Sequence, residues 1–256
     1  MEVFCIFLRI FAEMKTKTIK LEQTDSTNRW LRDHREDADA DMTVVTAAFQ
    51  TAGRGQGTNT WESEQGKNLL FSIMVRPVYV PVARQYLLSM THALALLDTL
   101  SCYTDGFSIK WPNDIYWRDR KICGTLIELS VSGGGIASCI FGTGIDVNQR
   151  EFRSDAPNPV SLWQILGYEV ALDEVLEKVV SHMQAGMELL EQGCFEAISQ
   201  RYHAHLYRRE GWHLYRDSVG EFEARLMRVE DDGRLWLCDR DGRERSYMFK
   251  EVAFCV

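Results

Sequence analysis

Polar and apolar residues alternate over residues 18–21, which reads as a short strand, and the polar stretch Thr24-Asp25-Ser26-Thr27-Asn28 then precedes Trp30-Leu31. Side-chain oxygens of this kind cap helix N-termini, so a helix is expected to start there. Four hydroxyl or amide groups exceed what one cap needs, which leaves Ser26 and Thr27 available as hydrogen-bonders to a ligand. Residues 43–49 and 68–75 are apolar runs that read as buried strands, the second ended by Pro77. Leu87, Leu88, Met90, Ala93, Leu94, Leu97 and Leu100 recur at helical spacing and predict a long core helix over 82–100. Residues 108–111 form a strand stopped by Pro112, and the turn formers Asn113 and Asp114 lead into Ile115-Tyr116-Trp117. Arg118-Asp119-Arg120 makes a polar turn into a strand over 122–131 interrupted by Gly124, and Ser132-Gly133-Gly134-Gly135 closes a hairpin onto 136–145. Gly142 and Gly144 stand inside that return strand, where glycine marks close approach of something to the backbone. Residues 172–190 predict an amphipathic helix and 195–207 another. After Arg209 the periods shorten into strands over 212–215, 221–229, 235–239 and 245–254, punctuated by Asp231-Asp232-Gly233 and Asp241-Gly242. Such a stretch is too small for a rich core of its own and is expected to form a small β-barrel docked on the main domain.

Length and composition narrow this picture. A chain of 256 residues accommodates one large domain, 1–208 with 1–16 as an extension, and a small one, 209–256. A net charge of −8 argues against a protein that coats nucleic acid, because neutralising phosphates needs a basic surface. The seven cysteines are scattered singly without a C-x-x-C pair, which suits reduced thiols in the cytoplasm and not a disulfide frame or zinc site. His203-x-His205 has no acidic or cysteine partner at ligand spacing, so a surface role is expected for it. Residues 1–12 are apolar around Arg9, too short to span a bilayer and without a cleavage site, so neither export nor a membrane is expected. Met14 is an alternative initiator.

The candidate chemistry sits in three places. Gln50-Thr51-Ala52-Gly53-Arg54-Gly55-Gln56-Gly57-Thr58-Asn59-Thr60-Trp61 joins two predicted strands and carries three glycines within five residues and one arginine. Glycines let backbone N–H groups turn toward an anion, and Arg54 adds a planar charged fork suited to phosphate or carboxylate. Taken alone, most loops of this kind are surface connections. Lys110 and Lys121 lie on consecutive strands, close enough to meet, and lysines there are costly without an anion. Between them Pro112-Asn113-Asp114 presents an amide and a carboxylate from a rigid turn, which suits a ribose, a magnesium ion or an amine.

Together these segments resemble the biotin protein ligases, also called biotin–carboxylase ligases or holocarboxylase synthetases, in their short form. The resemblance rests on Asp25-Ser26-Thr27-Asn28, Gln50-Thr51-Ala52-Gly53-Arg54-Gly55-Gln56, Lys110-Trp111-Pro112-Asn113-Asp114, Arg120-Lys121-Ile122-Cys123-Gly124-Thr125-Leu126-Ile127-Glu128 and Gly142-Thr143-Gly144-Ile145. They stand in the family's order and spacing across residues 17–148. Each is weak alone, and five in order are strong.

The resemblance implies an α+β fold, a mixed β-sheet flanked by helices as in class II synthetases, with a C-terminal SH3-like β-barrel. It implies that biotin is activated by ATP with Mg2+ to biotinyl-5′-AMP and passed to a lysine of a biotin carboxyl carrier domain. By that resemblance Ser26, Thr27, Asn28 and Gln50 bind the ureido head, and Gly53, Arg54, Gly55 and Gln56 close over biotin and the adenylate. Lys121 meets the biotin carboxylate and the phosphate, and Lys110 and Asn113 meet the phosphates. Asp114 lies near the attacking amine or a magnesium ion, so that Lys121, Arg54 and Asp114 form the catalytic set. Gly124, Gly142 and Gly144 let the flat bicycle lie on the sheet, with Trp61 and Leu126 as apolar wall. Departures stand at Gln56, where the family has a second arginine, at Thr58 for its last glycine, and at Asp146 for asparagine. A carboxylate at Asp146, beside the adenylate, either recruits a metal or repels the nucleotide. The catalytic motifs begin by Thr24, so the helix-turn-helix of repressor members is not expected ahead of them in these 256 residues. A lipoate or octanoyl ligase of the same fold and a non-catalytic biotinyl-AMP binder are the alternatives; the Lys110-to-Asp114 motif and the Ser26-Thr27-Gln50 set favour a ureido ring.

Overall fold

The computed structural model describes residues 14–34, 40–53, 55, 61–153 and 158–255. Its first element, β1 (Thr16–Thr24), leads into α1 (Thr27–Asp33), capped by Ser26, and returns as β2 (Met42–Gln50) parallel to β1. Strands β3 (Leu69–Val75), β4 (Phe107–Lys110), β5 (Asp114–Trp117), β6 (Arg120–Ser132) and β7 (Gly135–Ile145) complete a seven-stranded mixed sheet ordered β1-β2-β3-β7-β6-β5-β4. The expected hairpin between β6 and β7 is present, and Gly124 does not interrupt β6.

The two faces of this sheet differ. On one lies α2 (Tyr86–Ser101), preceded by a 3-10 turn over Val82–Arg84 within the stretch read as one helix. It is apolar nearly all round and buried between the sheet, α4 (Leu172–Glu191) and α5 (Phe195–Ala204), as such a helix must be. The amphipathic α4 turns Val175, Val179, Met183 and Leu190 inward. On the other face α1 buries Leu31 with Val45, Met74 and Ile140, leaving the rest of that face open for a site.

Three expectations need correction. A short helix α3 (Leu162–Leu166) is present that periodicity missed; its Ser161-x-x-Gln164 capping box was the available signal. Helix α5 ends at Ala204, before 207, because Leu206 bridges to Ile109 on β4 and the Tyr207 N–H donates to the Ile109 carbonyl at 2.8 Å. The stretch read as one strand over 245–254 is two, β11 (Glu244–Tyr247) and β12 (Ala253–Phe254), parted by a turn with Lys250 at φ 73° and Glu251 N–H bonded to Met248 O. That turn carries β12 across to β8 (His213–Arg216), so the C-terminal sheet runs β11-β10-β9-β8-β12, with β9 (Glu221–Val229) and β10 (Leu235–Asp239). It is antiparallel and SH3-like in strand count, and its described strands do not close into a barrel. It docks on the main sheet: Trp111 Nε1 donates to Gly233 O at 3.0 Å, and the Tyr86 N–H to Asp231 O at 3.0 Å. Among the described residues no helix is long and apolar enough to cross a membrane.

Candidate active site

Strand register places the candidate residues in rows. Lys110 pairs with Asp114, Asp114 with Gly124, Gly124 with Gly144 and Gly144 with Leu70, one row across five strands. Side chains in a row share a face, and this row lies on the α1 side. Leu126, Gly142 and Ser72 form the next row on the same face. Above both rows opens a cleft of about 900 Å3.

At one end the cleft is a hydrogen-bonding network. Thr27 donates to Gln50 Oε1 from its backbone N–H at 2.8 Å and from Oγ1 at 3.2 Å. With its carbonyl oxygen engaged, Gln50 keeps its amide N–H groups as donors for a ligand. Ser72 Oγ lies 2.7 Å from Thr27 Oγ1 and 2.6 Å from Asn28 Oδ1, and Asn28 Nδ2 is 3.4 Å from Leu126 O. Ser72 was missed by sequence reasoning, and the signal was its lone hydroxyl inside the otherwise apolar strand LLFSIMV. Ser26 Oγ accepts from the Arg29 N–H at 3.5 Å, so its capping role is real, while Ser26 also lines the cleft.

At the other end lie the cations. A β-bulge between Ile115 and Tyr116 leaves Ile122 opposite no partner, and the shift turns Lys121 out of the core face to stand over the cleft beside Tyr116. Lys121 and Lys110 are not on neighbouring strands as expected: β5 lies between β4 and β6, and Asp114 on it stands between them. Lys121 Nζ pairs with Asp114 Oδ1 at 2.8 Å. Lys110 Nζ sits 4.9 Å from the Tyr116 ring and 5.2 Å from that of Phe254; burial pulls its ammonium below the ordinary lysine range, against the pull of Asp114. The Asn113 side chain donates to Thr125 O and the Thr125 N–H returns to Asn113 O at 3.1 Å, so this amide pins the turn to β6. The Tyr86 hydroxyl fixes the same turn through Pro112 O at 2.7 Å.

The glycine rows are approached as anticipated, but by side chains of this chain. A Cβ on Gly142 would overlap the Asn28 amide, and one on Gly144 would overlap the Trp61 indole. Trp61 also covers Gly124, and its Nε1 is buried without a hydrogen-bond partner among the described residues. Gly55, Trp61, Leu126 and Asp146 line the cleft, while Gly53 adjoins Gln50 and accepts from the Trp61 N–H at 3.2 Å. Arg54, Gln56 and Thr58 lie outside the described residues. The rim supplied by Phe249, Lys250, Val252 and Phe254 was also missed, since a strand pattern in a satellite sheet gives no sign of where that sheet docks.

As for a resident metal, no group of three or more His, Cys, Asp or Glu side chains converges among the described residues, and Asp114 is already paired with Lys121. The donors present do not fit one.

Residues 21–146 match the family model described as the biotin/lipoate A/B protein ligase family. The bifunctional ligase/repressor BirA of Salmonella typhimurium is 31% identical over 188 residues, covering 72% of this chain and 58% of its own length. The biotin–[acetyl-CoA-carboxylase] ligase of Paracoccus denitrificans is 28% identical over 78% of this chain and 85% of its own. The chain belongs to the biotin/lipoate A/B protein ligase family. It spans a little over half the length of the Salmonella relative. The biotin protein ligase of Aquifex aeolicus, solved in complex with biotin and ATP, superposes with a TM-score of 0.76 at 24% identity, covering 93% of this chain and 97% of that one. That likeness establishes the ligase fold, including a second sheet at the C-terminus.

Proposed function

We propose that this chain activates biotin with ATP to biotinyl-5′-AMP and transfers the biotinyl group to a lysine of a biotin carboxyl carrier domain. The observation that carries the reading is the polarity of the cleft. The hydrogen-bonding end at Ser72 and the Lys121–Asp114 pair lie two to three strand spacings apart, roughly 10–14 Å, with Trp61 and Leu126 between. A ligand with a polar ring, an apolar arm and an anionic tail suits that order. Biotin and ATP together are bound by the Aquifex neighbour, and the Paracoccus relative is named for a carboxylase substrate, which supports the same assignment.

In this reading Gln50 and the Thr27-Asn28 pair hold the ureido ring, and Lys121 draws the biotin carboxylate toward the α-phosphorus of ATP. A carboxylate oxygen forms the new P–O bond while the bond to pyrophosphate breaks. The chemistry needs positioning and charge neutralisation and no nucleophilic side chain of the protein. In the second step the carrier lysine amine attacks the acyl carbon, AMP leaves, and the amine gives up its proton. Asp114, freed as Lys121 moves to the phosphate, attracts that amine. Arg54 and Gln56 are assigned to the adenylate from sequence alone. Magnesium enters only as the ion that ATP brings, and no step is assigned to it. A division near residue 209 makes the C-terminal sheet a separate unit that lends Phe254 and Lys250 to the cleft, and six described cysteines with free thiols suit a reducing cytoplasm.

Calorimetry tests the assignment: biotin is expected to bind and lipoate to fail as a competitor. Preferential binding of lipoate would transfer the assignment to the lipoyl branch of the family.

A further inference from the structure

Asp146 follows β7 directly, and its side chain lines the cleft at 4% exposure. Its backbone is held on both sides, by Asp146 N–H to Ile122 O at 2.9 Å and Leu162 N–H to Asp146 O at 3.0 Å. Its Oδ1, in contrast, is buried without a hydrogen-bond partner among the described residues. The charged or titratable groups that face it among those residues are Lys121 and Cys123 on β6 and Glu62 on the segment after Trp61. Helix α3, which packs against its backbone, contains no ionisable side chain. Lys121, the one cation among the described residues that faces it, is already committed, since its Nζ is 2.8 Å from Asp114 Oδ1. Glu62 accepts from Arg153 N–H at 2.8 Å and adds negative field. An ionised carboxylate so placed would be desolvated, beside another carboxylate and short of a cation, which is the least favourable arrangement for a charge. Burial accordingly pushes the Asp146 carboxyl well above the usual carboxylate range, with Lys121 opposing.

We propose that Asp146 is carried in the free protein as the neutral acid and donates a hydrogen bond from its carboxyl O–H to an acceptor atom of the bound nucleotide. A neutral acid offers one O–H donor and one carbonyl acceptor, much as an asparagine offers N–H and C=O. It adds no repulsion toward a polyphosphate, so the aspartate serves a nucleotide site without a metal to offset it. The inference rests on the biotin–ATP reading of the cleft, and its test separates the two.

The infrared difference spectrum of wild type minus Asp146→Asn, taken on the free protein at pH 7, reads the protonation state directly. A protonated-carboxyl C=O band is expected, and carboxylate bands alone would overturn the proposal. Calorimetry with an α,β-methylene ATP analogue then reads the role. Asp146→Asn should bind within about threefold of wild type and Asp146→Ala at least about tenfold more weakly, since the bound acceptor loses its donor. From pH 6 to 9 Asp146→Asn should stay flat, and wild type should weaken, by at most about tenfold per pH unit, only where its carboxyl ionises. A gain of more than about tenfold in Asp146→Asn at pH 7 would mean that the aspartate is charged and repels the nucleotide. Wild-type affinity in Asp146→Ala would remove the donor role. Failure of wild type to bind either biotin or the analogue would overturn the ligase reading, and with it the nucleotide as acceptor, while the infrared band still decides the charge.

Discussion

Replacing Lys121 by methionine keeps an unbranched apolar stem, with sulfur for one methylene, and deletes the ammonium. Lys121 Nζ stands 2.8 Å from Asp114 Oδ1, with the two side chains 29% and 16% exposed. Breaking a fully buried pair costs about 3–5 kcal/mol because a charge is left behind. Here Asp114 keeps the field of Lys110, which stands opposite it in register, and cleft water reaches both, so about 1–3 kcal/mol is expected. For a chain of this size that lowers Tm by roughly 2–10 °C, leaving a folded protein. The chemical effect should be larger. Lys121 faces the cleft because the bulge at Ile122 turns it there, and a cation aimed at developing phosphoryl charge contributes about 2.7–4 kcal/mol, or 10²–10³ in kcat. Pyrophosphate release at saturating biotin and ATP measures this, with biotin calorimetry as the control for an intact cleft. A kcat within about threefold of wild type, with biotin binding preserved, would refute the assignment of Lys121 to the reacting phosphate.

Other substitutions probe the supports of the site. Gly142→Ala drives a methyl into the Asn28 amide, so its contacts to Ser72 and Leu126 break; a loss of about 2–3 kcal/mol and at least tenfold in biotin affinity is expected. Adding Asn28→Ala should recover the stability but not the affinity, as denaturant titration and calorimetry would report, and full recovery of both would show that Asn28 is not a ligand-binding group. Phe254→Ala removes one of the two rings beside the Lys110 ammonium and should raise the KM for ATP by about three- to tenfold, with kcat little changed; an unaltered KM would confine β12 to a structural role. His92 is fully buried and stacked on Phe141, its Nε2 is 2.8 Å from Thr143 Oγ1, and burial lowers its pKa to about 3. A depressed folded-state value means stability that is complete above about 6.5 and declines as pH falls toward 3, about 2 kcal/mol between pH 7 and pH 5. His92→Phe should lack that increment in denaturant titrations at the two pH values, and an equal change in stability between pH 7 and pH 5 in variant and wild type would contradict a buried neutral imidazole.

The sequence was most legible where one physical rule acted alone. The apolar helix at 86–101, the hairpin at Gly133-Gly134 and the capped start of α1 follow from periodicity, turn chemistry and side-chain oxygens. The motif residues Lys110, Asp114, Lys121, Gly124 and Gly144 converge because strand register puts them in adjacent positions. What was hidden depends on long-range pairing. The insertion of β5 between the two lysine strands, the bulge that aims Lys121 and the docking of Phe254 on Lys110 are set by partners far along the chain. Glycine in β7 signalled close approach correctly, but not that Asn28 and Trp61 are what approaches. Ser72 was readable in retrospect, since a hydroxyl in a strand buried on both faces requires a polar neighbour.

The most direct test of the proposed activity is transfer of radiolabelled biotin to a carrier domain, with ATP and magnesium present and the products mapped by peptide mass spectrometry. Label on a single carrier lysine, dependent on ATP and lost in Lys121→Met, is the expected result. No label on the carrier, or label from lipoate in place of biotin, would contradict the assignment.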